Sequence, residues 1–404
     1  MKPRALILLS VLVFLLSWTP SRPILAFSPR CHEGEVPFEN ERYRRYKTAL
    51  LERHLSDGLV VNVCLDAPQG DVIKRHFGDS TLWTGVLLGT LALEYSHTKE
   101  SRTLEQIRQI VDALSRLQVA TGYLVRTDRG EEAGTQLAEP SAGQYMGVLF
   151  GYDLAFRYAN DDEIRGRIKE DVDKMGRYLQ DNWYFFFKPA GGLVERGPNG
   201  VFFEYSWGKI FQRITGNARQ SRSMQWWEFT SKLKGQGMKV DAWIGLAQRP
   251  FSPRKRYTMF LRNIVGLYRS GIVRYFNIHL AFLSAYSVLA GEEEADPEVS
   301  AAFKELYQNA QKIPGDENAL FAALAQTLIR ADDSKTQIAL DSLDEFPESL
   351  PNSWNESPFH QDNAWQRSPA NRPKVYDVFN QDSLCEYVEY PGLDYLLPYV
   401  LCSG

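Results

Sequence analysis

The chain has 404 residues, a formal net charge of −4, and 44% hydrophobic against 24% charged residues. That balance is ordinary for a globular protein, excludes a disordered or fibrous chain, and leaves no basic surplus for nucleic acid. Aromatic residues reach 13%, with 9 Trp and 20 Tyr, which suits a large helical core and also platforms for sugar rings.

Lys2 and Arg4 precede an apolar run, Ala5 to Trp18, that Pro20 and Pro23 end. A basic start and an apolar stretch too short to span a bilayer predict an export signal over 1–26, cleaved after Ala26. The mature chain, 27–404, is then expected to be one domain, periplasmic or secreted, with no stable membrane span. An uncleaved anchor is the alternative. Export permits disulfides among Cys31, Cys64, Cys385 and Cys402. Four cysteines allow three pairings, and nearness in sequence favours Cys31–Cys64 with Cys385–Cys402. No CxxC or Cys/His cluster is present, so no metal site is expected.

Apolar spacing predicts a first helix over 39–54, then a short extended run over 60–66. A nearly all-apolar helix follows within 78–95, and an amphipathic one over 104–119. The pair repeats as an apolar helix over 141–158 and a charged, amphipathic one over 161–183. Aromatic runs in 184–206, separated by Pro/Gly turns, predict a small β-hairpin insertion. Helices are predicted again over 221–248, 254–269, 275–290, 296–312 and 316–330. The segment 348–373, rich in Pro, Asn and Ser but holding Trp365 and Arg367, reads as an irregular rim loop. An apolar segment over 391–401 closes the chain.

The apolar helices share a design. Gly85-Val86-Leu87-Leu88-Gly89 returns as Gly147-Val148-Leu149-Phe150-Gly151, at an offset of 62 residues (147 − 85). Ala281 and Ala285 hold the equivalent small positions in a third helix. Two glycines in one helix cost roughly 1 kcal/mol each relative to alanine, and close approach of a neighbouring helix offsets that. A repeat of this kind predicts stacked helical hairpins. In this register Trp83, Tyr145 and His279 are equivalent, and Asp79, Ser80, Gln144 and Asn277 also lie where these helices open. One shared polar mouth is therefore expected.

Alternating inner and outer helices with polar mouths resemble the (α/α) toroids of polysaccharide-active enzymes: glycoside hydrolases, polysaccharide lyases and sugar epimerases. The stretches GDSTLWTG, SAGQYMGVLFGYDLAFRY, NIHLAFLSAYSVL, WQRSP and PGLDYLLPY also resemble exported bacterial proteins. The resemblance implies an all-α (α/α)n toroid acting on a carbohydrate or glycan without a cofactor. The alternative is a non-catalytic envelope binding or scaffold protein using the same aromatic-lined cavity. Toroids serve several chemistries, so the residues have to decide between them.

Glycoside cleavage needs two carboxylates flanking the bond. Asp79 is the first candidate, with helix capping as its competing role. Asp394, Asp153 and Glu139 are candidates for the second, and Asp394 is preferred because it opens the last apolar segment. Asp153, deep in an apolar helix, needs a partner such as an arginine. His279 is a candidate acid or base, with a buried structural role as the competing reading. Trp83, Arg126, Gln144, Tyr145, Asn277, Trp365 and Arg367 are candidate substrate contacts. Trp83 and Trp365 would stack on sugars, and Arg126 and Arg367 would grip an anionic group. No nucleophile elbow, phosphate-binding loop, HExxH or complete dinucleotide fingerprint is present.

Overall fold

The structure is a computed structural model. It describes residues 38, 40–67, 70–120, 122–128, 139–187, 197–219, 252–273, 275–291, 295–313, 318–331, 333–344, 346, 387–389 and 391–403. The export signal, Cys31, Cys385, Trp365, Arg367, the segment 348–373 and the helix expected over 221–248 lie outside the described residues.

Twelve helices are found among the described residues. In chain order they are α1 (Glu41–Arg53), α2 (Ser80–Thr98), α3 (Ser101–Arg116), α4 (Ala142–Tyr158), α5 (Asp162–Asp181) and α6 (Glu204–Thr215). Then come α7 (Pro253–Arg269), α8 (Tyr275–Leu289), α9 (Pro297–Ala310), α10 (Ala319–Ile329), α11 (Ser334–Asp341) and α12 (Leu393–Ser403). Even-numbered helices form a closed inner ring: α2 packs on α4, α4 on α6, α6 on α8, α8 on α10, α10 on α12, and α12 returns to α2. Odd-numbered helices lie outside, each against one or two inner neighbours. The fold is an all-α (α/α) toroid.

Sequence explains the division into layers. Every residue of α2 from Ser80 to Tyr95 is buried, and so is every residue of α4 from Ala142 to Ala155. Helices that are apolar all round require neighbours on every side. By contrast α3 buries Thr103, Ile107, Ile110, Val111, Ala113 and Leu114, one face of an otherwise charged helix. The repeated glycines are where α2 and α4 touch. A Cβ on Gly85 would lie 2.2 Å from the carbonyl of Gly147, and one on Gly151 would lie 2.1 Å from the Gly85 oxygen. Side chains at these positions would push the two backbones apart.

Inner helices open at a common end. Gln144 at the start of α4 bonds Asp79 at the start of α2. Gly143 sits beneath the ring of Phe276 at the start of α8. His279 of α8 meets Asn318, the N-cap of α10. At the far end Asp153 of α4 is held by Arg157 and by Arg213 of α6, and the two arginines donate to the Ala290 carbonyl just past α8 and to the Ser287 carbonyl of α8. This is the structural pairing that a buried aspartate demands.

Among the described residues seven short strands lie at the opening end: β1 (Leu55–Ser56), β2 (Leu59–Val60), β3 (Asn62–Leu65), β4 (Val72–His76), β5 (Gln118–Ala120), β6 (Tyr123–Leu124) and β7 (Tyr387–Glu389). An antiparallel sheet of order β4-β3-β7 joins the two ends of the chain, with Val63 opposite Glu389. Strand β4 leads into the start of α2, and β7 into the start of α12. Of the β-hairpin insertion expected over 184–206, residues 188–196 lie outside the described residues. Residues Gly197–Phe202 form a 3-10 helix, and Glu204 begins inner helix α6. The aromatic residues on either side pack around Trp207: Tyr184, Phe186 and Phe203 all stack or tilt against it.

Candidate functional site

Asp79 occupies the N-cap position of α2 but makes no side-chain capping bond. Its carboxylate turns across the mouth instead. Oδ1 accepts from Nη1 of Arg126 at 2.7 Å and from Nε2 of Gln144 at 2.8 Å. Oδ2 accepts no hydrogen bond among the described residues. Asp79 keeps 22% of its side-chain surface exposed and Arg126 keeps 13%, so the pair borders solvent.

Each donor is held in turn. Arg126 follows β6, where Thr81 of α2 donates its hydroxyl to the Val125 carbonyl at 2.7 Å. Its Nη1 also reaches the Gly78 carbonyl, and its Nε donates to the Glu139 carbonyl at 2.8 Å. The Ser141 hydroxyl donates to Oε1 of Gln144, which fixes the amide with its nitrogen toward Asp79. Glu139 belongs to the same neighbourhood. Burial, with the Glu139 charge second, pushes the Tyr123 hydroxyl up to about 12. The structure thus brings Asp79, Arg126, Gln144 and Glu139 together, with Ser141 as a support that sequence reasoning did not single out. Ser141 was legible only as a helix-opening serine.

Tyr145 and His279 share the register but have other work. Tyr145 is fully buried, donates its hydroxyl to the Gly122 carbonyl at 2.7 Å, and accepts from the Leu124 amide at 3.1 Å. Its ring lies against Phe186, Trp207 and Tyr178. Burial raises its hydroxyl well above the usual range, and the side chain is packed within the core. His279 is also fully buried, between Tyr275 and Phe321. Oδ1 of Asn318 caps Phe321, so its Nδ2 faces the ring and donates to Nε2 at 2.9 Å. The ring proton then sits on Nδ1, toward the Tyr275 carbonyl at 3.4 Å. Burial drives this imidazole well below its ordinary range. The ring is thus enclosed in the core among these partners.

Trp83 is 3% exposed and belongs to the core, one turn below Asp79. Asn277 is half-buried at the start of α8, and Asp394 is half-buried in the first turn of α12, at the same end of the ring. Cys64 and Cys402 are buried and neither is a free thiol. Cys31 and Cys385, the other members of the expected pairs, lie outside the described residues. Among the described residues no group of three His, Cys, Asp or Glu side chains is placed to hold a metal ion, and no helix is long and apolar enough to cross a membrane.

No protein-family model matches the sequence, and no curated protein is similar to it at a significant level. Among solved structures, one similar to this chain is an unsaturated glucuronyl hydrolase specific for heparin, 13% identical, with 90% of this chain and 96% of that chain covered and a TM-score of 0.39. A likeness of that size says nothing about chemistry, and the closed ring stands on its own contacts.

Proposed function

We propose that the chain is a carbohydrate-processing protein whose chemistry is carried out at Asp79, in the mouth of the toroid. One observation carries the reading. Asp79 forgoes the capping bond open to it and is held across the mouth by Arg126 and Gln144. Two donors on Oδ1 fix the carboxylate while Oδ2 is left for a sugar hydroxyl or a water. A carboxylate used in this way is an acceptor, so its role is that of a base or an electrostatic partner and not of a proton donor. In hydrolysis it would take a proton from water as the water oxygen bonds to the anomeric carbon. A second carboxyl group would give a proton to the departing oxygen. Glu139, whose main-chain carbonyl accepts from Arg126, and Asp394, in the first turn of α12, are the candidate acids for that task. The proposal includes export and cofactor-free chemistry, as the N-terminal pattern and motif content suggest.

The test is a panel of polysaccharides and oligosaccharides given to the purified protein, followed by both new reducing ends and ultraviolet absorbance. Reducing ends without absorbance signal hydrolysis, and both together signal elimination. Saccharide binding with neither signal would support the non-catalytic alternative, and no binding at all would overturn the reading.

A further inference from the structure

The ion pair at the mouth is only partly used. A guanidinium has five N–H donors in a fixed fork. Three of those on Arg126 are engaged: Nε gives one to the Glu139 carbonyl, and Nη1 gives one to the Gly78 carbonyl and one to Oδ1 of Asp79. Nη2 donates to nothing among the described residues, just as Oδ2 of Asp79 accepts from nothing there. A guanidinium and a carboxylate can meet by two parallel bonds. Here one is made and the other is left open. Each open atom shares its carbon with an atom of the 2.7 Å contact, and both side chains are partly exposed. The mouth therefore presents a donor and an acceptor on one small patch.

We infer that this patch takes a hydroxyl of a neutral sugar and discriminates against a sugar that carries a carboxylate or sulfate there. The inference rests on the reading of the mouth as a saccharide site and adds the class of sugar. A hydroxyl is donor and acceptor at once, so it accepts from Nη2 and donates to Oδ2. Oδ2 keeps a second lone pair for the attacking water. An anionic group accepts from Nη2 but has no proton for Oδ2, and it sets a second negative charge against a carboxylate. The charge of Arg126 is already matched by Asp79. Two further acids lie at this end: Glu139, second to burial in raising the Tyr123 hydroxyl, and Asp394 in the first turn of α12. Lys74 and Arg75 are exposed on β4, and neither is bonded to Asp79. Arg126 is then a specificity residue for hydroxyls, not the grip on an anion that its charge suggests.

The experiment is calorimetric titration of the intact protein with neutral oligosaccharides, each beside its C6-oxidised and its sulfated derivative, at one pH and one salt concentration. In every set that binds, the neutral member should bind about tenfold more tightly or better, the scale of one unscreened like-charge contact near a protein surface. Asp79→Asn removes the opposing charge, so it should bring the acidic members toward parity while the neutral affinity is kept. A role for Asp79 confined to holding the fold would move all members alike. Should that variant not fold, the wild-type sets decide alone. Tighter binding of acidic members, or undiminished discrimination in a folded Asp79→Asn, would overturn this inference and leave the saccharide reading standing. Binding by no member would overturn both.

Discussion

Replacing Gly147 with alanine adds one methyl group where α4 crosses α2. That carbon would lie 2.5 Å from the Leu82 oxygen, 2.6 Å from Leu82 Cδ1 and 2.8 Å from Leu82 Cα. Ordinary contact begins near 3.4 Å, so the helices must separate by about 0.9 Å (3.4 − 2.5) or tilt. Two of the three obstructing atoms are backbone, which a rotamer change does not move. Alanine gains roughly 1 kcal/mol of helix propensity over glycine. Overpacking a filled core costs about 1–3 kcal/mol and occasionally more. Both helices are enclosed by the ring, so the upper part of that range applies, and a net loss of about 1–2 kcal/mol is expected. Gly166 supplies the control. It lies mid-helix on exposed α5, and a Cβ there meets nothing within 4 Å. Gly166→Ala should therefore stabilise by up to about 1 kcal/mol. Denaturant unfolding of the two variants beside the wild type reads both signs. A Gly147→Ala midpoint at or above the wild-type value would refute the claim that the paired glycines exist for helix contact.

Other consequences follow from buried charge and from export. Arg213→Met leaves buried Asp153 with Arg157 alone, and unfolding should report a loss of about 3 kcal/mol, the low end for a broken buried pair; an unchanged midpoint would remove that pairing from the account. Because burial lowers the His279 pKa, the unfolded chain takes up a proton more readily. Its contribution to stability is full above about pH 6.5 and is lost below it, by at most about 1.4 kcal/mol per pH unit. His279→Gln should flatten the acid limb of a melting-temperature profile, and an identical limb would contradict the buried neutral ring. N-terminal sequencing of protein from its host should begin at Phe27, and peptide mapping without reductant should find Cys31–Cys64 and Cys385–Cys402; an intact Met1 in the cytosol with four free thiols would refute both.

The fold was legible wherever a helix carried its whole pattern locally. The all-apolar runs of α2, α4 and α8 and the one-sided α3 and α5 distinguish inner from outer helices without any knowledge of tertiary contacts. The glycine echo anticipated the α2–α4 contact because only backbone approach explains two costly glycines per helix. Helix α6 was missed, although Trp207, Ile210, Phe211 and Ile214 carry helical spacing, because the aromatic residues before it look like strand. Strand β7 was missed for a different reason: it pairs with β3 more than 300 residues earlier in the chain, and three residues carry no pattern. In the site, the meeting of Asp79 with Gln144 followed from the shared opening of the helices. The burial of Tyr145 and His279, in contrast to Asp79, did not. Equivalent helix positions can point into the mouth or into the wall, and only the partners found there (Gly122 and Leu124 for Tyr145, Asn318 for His279) decide which.

The most direct test of the central claim compares Asp79→Asn with the wild type on whichever saccharide the panel identifies. Asparagine keeps the size of the side chain and an oxygen for Arg126 and Gln144, and it removes the charge. Loss of a proton-transfer group costs about 10²–10⁴-fold in rate. The account predicts a fall in kcat of that order with saccharide binding retained and melting temperature nearly unchanged. Turnover equal to the wild type, or a collapse of the fold in place of activity, would contradict it and leave Asp79 as a structural anchor at the start of α2.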